Sequence, residues 1–128
     1  MKKLIKEVGV DAGMIMIVDR SYLENLFNSE YIFPNPDAKL IKIKSGKYEV
    51  TWIIKDTWNG PITGEFTIEV TSGQIFISDP CYLVPEEKWS NFLEDIGCGN
   101  IVPQNTEIIS SMGGDGCYDI NLDFKEIK

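Results

Sequence analysis

Histidine is missing from this 128-residue chain altogether, and arginine occurs once, at position 20. The first absence removes Ser-His-Asp and Cys-His catalytic arrangements, histidine general bases and histidine metal ligands. Cysteine is scarce as well. Cys81, Cys98 and Cys117 are an odd number, and none sits in the C-x-x-C spacing of a zinc or thioredoxin-type site. A reducing, cytoplasmic setting is expected. No long apolar run is present: the longest, residues 12–18, falls well short of the roughly 20 residues that span a bilayer. The start, MKKLIKEVGV, has the cations of a signal peptide, but Glu7 and Asp11 interrupt the stretch where its apolar core would lie.

What is present is ordinary for one globular domain over 1–128. Apolar residues make up 43% and charged residues 25%, enough to build a single core. The net charge of -8 opposes association with nucleic acid or anionic membrane. Its distribution is uneven. Residues 1–64 hold 9 Lys and Arg against 8 Asp and Glu, whereas 65–128 hold 3 against 12.

Two segments repeat. VDAGMIMIVDRSYL (10–23) over VTSGQIFISDPCYL (70–83) gives 7 identities in 14 ungapped positions. Farther along each copy, GKYEV (46–50) matches GCYDI (116–120), with Gly and Tyr identical and Glu/Asp and Val/Ile conservative. Two units are too few for a solenoid, so they should pack on each other as a pseudo-two-fold pair. The copies run over about 8–55 and about 66–124.

The expected fold is mainly β with one or two short helices, a compact barrel or sandwich made of two strand-turn repeats. Tyr48, Val50, Trp52 and Ile54 alternate with polar residues, as do Phe66, Ile68 and Val70, which predicts two half-buried strands joined through Asn59-Gly60-Pro61 as a hairpin. Tyr118, Ile120, Leu122 and Phe124 predict another, with Asp119, Asn121 and Asp123 on its wet face. Residues 85–96 place Trp89, Phe92, Leu93 and Ile96 at helical spacing, with Gly97 as the stop. Ser21 to Glu24 has the form of a capping box, opening a helix that ends near Asn28.

Candidate site residues follow from the repeat. Asp19 and Asp79 hold the same place in both copies. Two such carboxylates could share a proton for acid catalysis, or each could cap the turn after its strand, the second fitting Pro80 in a first helical turn. Capping is favoured. Asp11-Ala12-Gly13 has the form of an aspartic-protease loop, but the other copy has Thr71, so a hairpin turn explains Gly13 and Gly73 better. Cys81 and Cys117 lack a histidine partner and read as inert buried thiols. Asp115, between Gly114 and Gly116, could join Asp119 and Asp123 at a hard cation, yet the spacing fails the EF-hand pattern and no metal site is assigned. Lys42 and Lys44 on one face of a strand, with Lys39, Lys47 and Arg20, could hold a phosphate or guard an edge strand.

Ser72-Gly73, Ile75, Ile77, Asp79-Pro80-Cys81-Tyr82 and Gly114-Asp115-Gly116-Cys117-Tyr118 together resemble a group of small uncharacterised proteins of bacteria and their phages. Their signature is Ser-Gly, Asp-Pro-Cys-Tyr and Gly-Asp-Gly-x-Tyr. The resemblance covers the second half of the chain and implies a compact β-rich fold and a mobile-element origin, without an activity to carry over.

The leading functional expectation is a non-enzymatic binding protein, of an antagonist or immunity type, that presents the acidic second half to a basic protein partner. The alternative is a protein that sequesters a nucleotide-like anion with Arg20, Lys42, Lys44 or Lys47 beside Trp52 or Tyr82. A hydrolase using Asp19 and Asp79, or Cys81, ranks third. No cofactor is expected, and the opposite charges of the halves permit an antiparallel homodimer.

Overall fold

The computed structural model describes residues 1–26, 38–84, 86–97, 106–110 and 112–127. Each copy contributes four strands. The first supplies β1 (Lys2–Val10), β2 (Ile15–Asp19), β3 (Lys39–Lys42) and β4 (Gly46–Ile54), with helix α1 (Arg20–Leu26) between β2 and β3. The second supplies β5 (Ile62–Val70), β6 (Gln74–Ser78), β7 (Thr106–Ile109) and β8 (Gly116–Glu126), with helix α2 (Trp89–Gly97) in the matching place. Two four-stranded sheets result, ordered β1-β8-β4-β5 and β3-β6-β2-β7. They stack as a sandwich, and neither closes into a barrel.

Every ladder in both sheets joins a strand of one copy to a strand of the other, and all are antiparallel. The two orders read the same after the copies are exchanged, which is the signature of an internal two-fold axis. That axis passes between Ile17 and Ile77 in the second sheet, because Ile77 faces Ile17 and is its own repeat equivalent. In the first sheet it passes between Trp52 and Leu122, again equivalents that face each other.

The central strands of the second sheet are covered on both faces, which explains their unbroken apolar runs. Ile15, Ile17, Ile75 and Ile77 meet Val50, Trp52, Ile54, Ile120 and Leu122 in the core between sheets. Met16, Val18 and Phe76 face the opposite way, under Leu23, Leu83, Val84, Trp89 and Phe92. The rings of Trp89 and Phe92 stack with centroids 5.7 Å apart.

The predicted hairpin over residues 47–70 and the predicted strand near the C-terminus are both present. Three expectations change. Helix α2 starts at Trp89, after a 3₁₀ turn at Glu86–Lys88, and includes Gly97 rather than stopping before it; Pro85 lies outside the described residues. Helix α1 begins one residue before Ser21, so Asp19 and not Ser21 caps it; Asn28 also lies outside. Gly13 and Gly73, at φ of 78° and 75°, do serve turns, but the turns are arches from one sheet to the other, not hairpins.

The first copy also begins earlier than position 8. Strand β1 starts at Lys2 and holds a β-bulge between Ile5 and Val8, where Glu7 adopts a φ of 55° and its N–H donates to Asp119 Oδ1 at 2.8 Å. Its partner by symmetry, β5, pairs without a bulge.

Candidate functional site

Asp19 and Asp79 are buried, and each reaches across to the other copy. Asp79 Oδ2 accepts the N–H groups of Asp11 and Ala12, at 2.9 and 2.8 Å, in the arch between β1 and β2. Its Oδ1 accepts the N–H of Cys81 at 2.8 Å and so caps the 3₁₀ turn at Pro80–Tyr82. Asp19 does the equivalent in the other direction. Its Oδ2 accepts Thr71 N–H at 2.6 Å in the arch between β5 and β6, and its Oδ1 accepts Ser21 N–H at 2.9 Å and Ser72 Oγ at 2.7 Å. Burial alone would raise the Asp19 pKa; the hydrogen bonds from Ser72, Thr71 and Ser21 outweigh it and hold the carboxyl below its ordinary value.

The two carboxylates do not meet. β2 and β6 run antiparallel with Asp19 beside Ile75, so the same register sets Asp79 beside Ile15, four residues away. That is about 13 Å along the strands, too far to share a proton. The repeat makes two crossed locks, each copy fastening the other's arch.

Around the second lock lie Cys81, Tyr82 and Asp11. The Tyr82 hydroxyl donates to the Asp11 carboxylate. Burial, the hydrogen bond to Asp79 and the charges of Asp79 and Asp11 push the Cys81 thiol up to about 12, so it stays protonated and a poor nucleophile at neutral pH. Cys81 is half-buried and Cys117 exposed, so the expectation that both are buried does not hold; Cys98 lies outside the described residues. Around the first lock Ser21 Oγ and Thr71 Oγ1 replace the tyrosine-aspartate contact, and Arg20 donates to Gln74 Oε1 at 2.7 Å.

The remaining candidates scatter. Lys42 and Lys44 are exposed, though only Lys42 belongs to β3, and the Lys44 carbonyl accepts the Tyr48 hydroxyl at 2.6 Å. Asp115 is exposed in the turn whose Gly114 carbonyl accepts the Tyr118 hydroxyl, the same tie in the other copy. No group of three or more Cys, Asp or Glu among the described residues could hold a metal ion. No helix there is long and apolar enough to cross a membrane.

A groove of about 860 Å³ lies elsewhere, on the outer face of the first sheet. Two cross-strand rows form its floor: Leu4, Asn121, Ile53 and Thr63 in one, Lys2, Asp123, Thr51 and Glu65 in the other. Lys2, Lys3 and Lys55 line it against the acids Glu65 and Asp123. Asp123 already takes the ammonium of Met1 at 3.4 Å, and the three lysines form no ion pair among the described residues. Of the candidates named from the sequence, Trp52 and Asp123 line this groove, whereas Asp19, Arg20, Lys42, Lys44, Asp79, Cys81, Tyr82 and Asp115 do not. Its β1 wall was hidden because the bulge shifts the buried positions from Ile5 to Val8 and Val10, which breaks the alternation that announces a strand.

Compared with protein-family models, curated proteins and solved structures, the chain matches none.

Proposed function

We propose that this chain is a non-enzymatic binding protein that takes a small anion with an apolar or ring-bearing body, a mononucleotide among them, into the groove over β1, β8, β4 and β5. The supporting observation is local charge. In a chain of net charge -8, Lys2, Lys3 and Lys55 gather around exposed Leu4 and half-buried Ile53 without ion-pair partners among the described residues. The volume suits one small molecule. Titration with AMP and with 1-naphthyl phosphate, followed by backbone amide shifts, should perturb Leu4, Thr51, Ile53 and Asn121. Lys2→Ala with Lys55→Ala should weaken binding by about tenfold, and added salt should weaken it further. Shifts confined to the Lys42 and Lys44 region, or none at millimolar ligand, overturn the assignment.

A second reading keeps the basic protein partner, in an antagonist or immunity-type role. Interleaving the copies sets Lys2 across from Asp123, Lys47 across from Glu69 and Lys125 across from Glu49, so the charge contrast in the sequence is mixed across one sheet and does not make a separate acidic face. The acid that favours this reading stands at the β5 edge, where Glu65 and Glu69 are exposed. A hydrolase has the least support, because its carboxylates stand apart and the Cys81 thiol stays protonated.

A further inference from the structure

We infer that the outer edge of β5, unpaired by any described strand, is a docking site for an extended segment of a partner protein, one that alternates basic with apolar residues and adds an antiparallel strand to the first sheet. This rests on the backbone edge of β5; Thr63 and Glu65 also border the anion groove, and Lys55→Ala tells the two sites apart.

The four sheet edges differ in how they resist pairing. β1 carries Lys2, Lys3 and Lys6 and the bulge at Glu7. β3 and β7 are four residues each; β3 bears Lys39 and Lys42, and Glu107 of β7 turns inward to accept the Trp52 indole N–H at 3.2 Å. Short length, lysines, a bulge and an inward acid are the devices that keep edges from templating another strand. β5 has none of them. It is nine residues long, without proline, lysine or bulge, although it is the equivalent of β1 by the internal axis.

The hydrogen-bonding groups on that edge can be assigned from register. Ile127 N–H donates to the Lys47 carbonyl, so Lys47, Glu49, Thr51 and Ile53 direct their backbone groups toward β8. The alternate residues of β4 therefore bond to β5, through Ile62, Gly64, Phe66, Ile68 and Val70. Thr63, Glu65 and Thr67 are left with N–H and C=O pointing off the edge, and no described strand takes them.

Side chains specify the partner. Thr63, Glu65, Thr67 and Glu69 are exposed on the outer face, and Glu65 has no ion pair among the described residues. On the inner side Ile62 and Phe66 are only partly buried. A docked strand would place lysine or arginine opposite Glu65 and apolar side chains beside Ile62 and Phe66, with backbone bonds giving affinity and the alternating side chains giving selectivity.

The test uses the full chain and a fluorescent peptide as long as β5 that alternates lysine with valine, measured by anisotropy at low salt. Saturable binding is expected, with a loss of about tenfold or more in Thr67→Pro, which removes an outward N–H and leaves the β4 ladder intact, and in Glu65→Lys. Thr63→Pro serves if Thr67→Pro melts early, and Lys55→Ala, in the groove, should leave peptide affinity unchanged. Binding that is insensitive to both proline variants, or equal binding of a peptide with glutamate in place of lysine, overturns the proposal. So does self-association of the chain that Thr67→Pro abolishes without any peptide binding, because it places a second copy at that edge.

Discussion

Asp79 shows how much can rest on one side chain. Its carboxylate collects three backbone N–H groups, two of them from the other copy, in a site closed to water. Asp79→Ala leaves all three unsatisfied and should cost ~3 kcal/mol or more, read as a lower urea midpoint at unchanged slope; Asp79→Asn keeps one acceptor and should fall between. Asp19 yields a second prediction, in pH. Its folded pKa lies below the unfolded value, so its contribution is complete above the unfolded pKa and is lost as pH falls through the folded one. Urea midpoints measured from pH 6 down to pH 2 should drop in the native chain and flatten in Asp19→Asn. An unchanged acid dependence in that variant would reject the assignment. The aspartates were legible as caps from their place after a strand and before Pro80. Their reach into the opposite arch was not, because it depends on groups 52 to 68 residues apart in sequence meeting in space.

Among the elements, β1 and β5 are the informative pair. They occupy equivalent places, yet β1 carries an extra residue with Glu7 in a left-handed conformation that costs an ordinary residue roughly 1–2 kcal/mol. Glu7→Gly removes that cost and gives back part of it through a more flexible unfolded chain, so a net gain of about 0.5–1 kcal/mol is expected in the urea midpoint. Hydrogen exchange at Val8 and Val10 should slow in parallel. β4, β5 and β8 announced themselves because their alternation is unbroken over the whole strand. β1 did not; β3 was expected as the strand bearing Lys42 and Lys44 but stops at Lys42, and β7, at four residues, is too short for a period to emerge. The groove went unseen for the same reason: its floor needs β1 beside β8, a pairing between the two ends of the chain.

For the whole molecule, the decisive fact is that no described strand pairs within its own copy. The repeat predicted two halves packed on each other, and a pseudo-two-fold sandwich is what forms, but the halves are laced strand by strand. Fragments 1–58 and 59–128 should therefore each lack a folded monomer by circular dichroism and recover the β spectrum when mixed. A folded, monomeric half would contradict the topology. The one covalent crossing between copies is the β4–β5 connection, so strain placed there should favour exchange of copies between chains over unfolding.

The pair on the internal axis carries a consequence of its own. If one repeat assembled with an identical twin, the position of Trp52 would face itself, and the centre of that sheet would hold two indoles or two leucines. Joined in tandem, the copies were free to differ there. One presents Trp52 and the other Leu122, and the indole extends over Gly64, where an added Cβ would come within 2.4 Å of the ring. Fusion thus permits a large residue to be matched by a small neighbour on one side of the axis only, a packing solution closed to any symmetric dimer of the same unit.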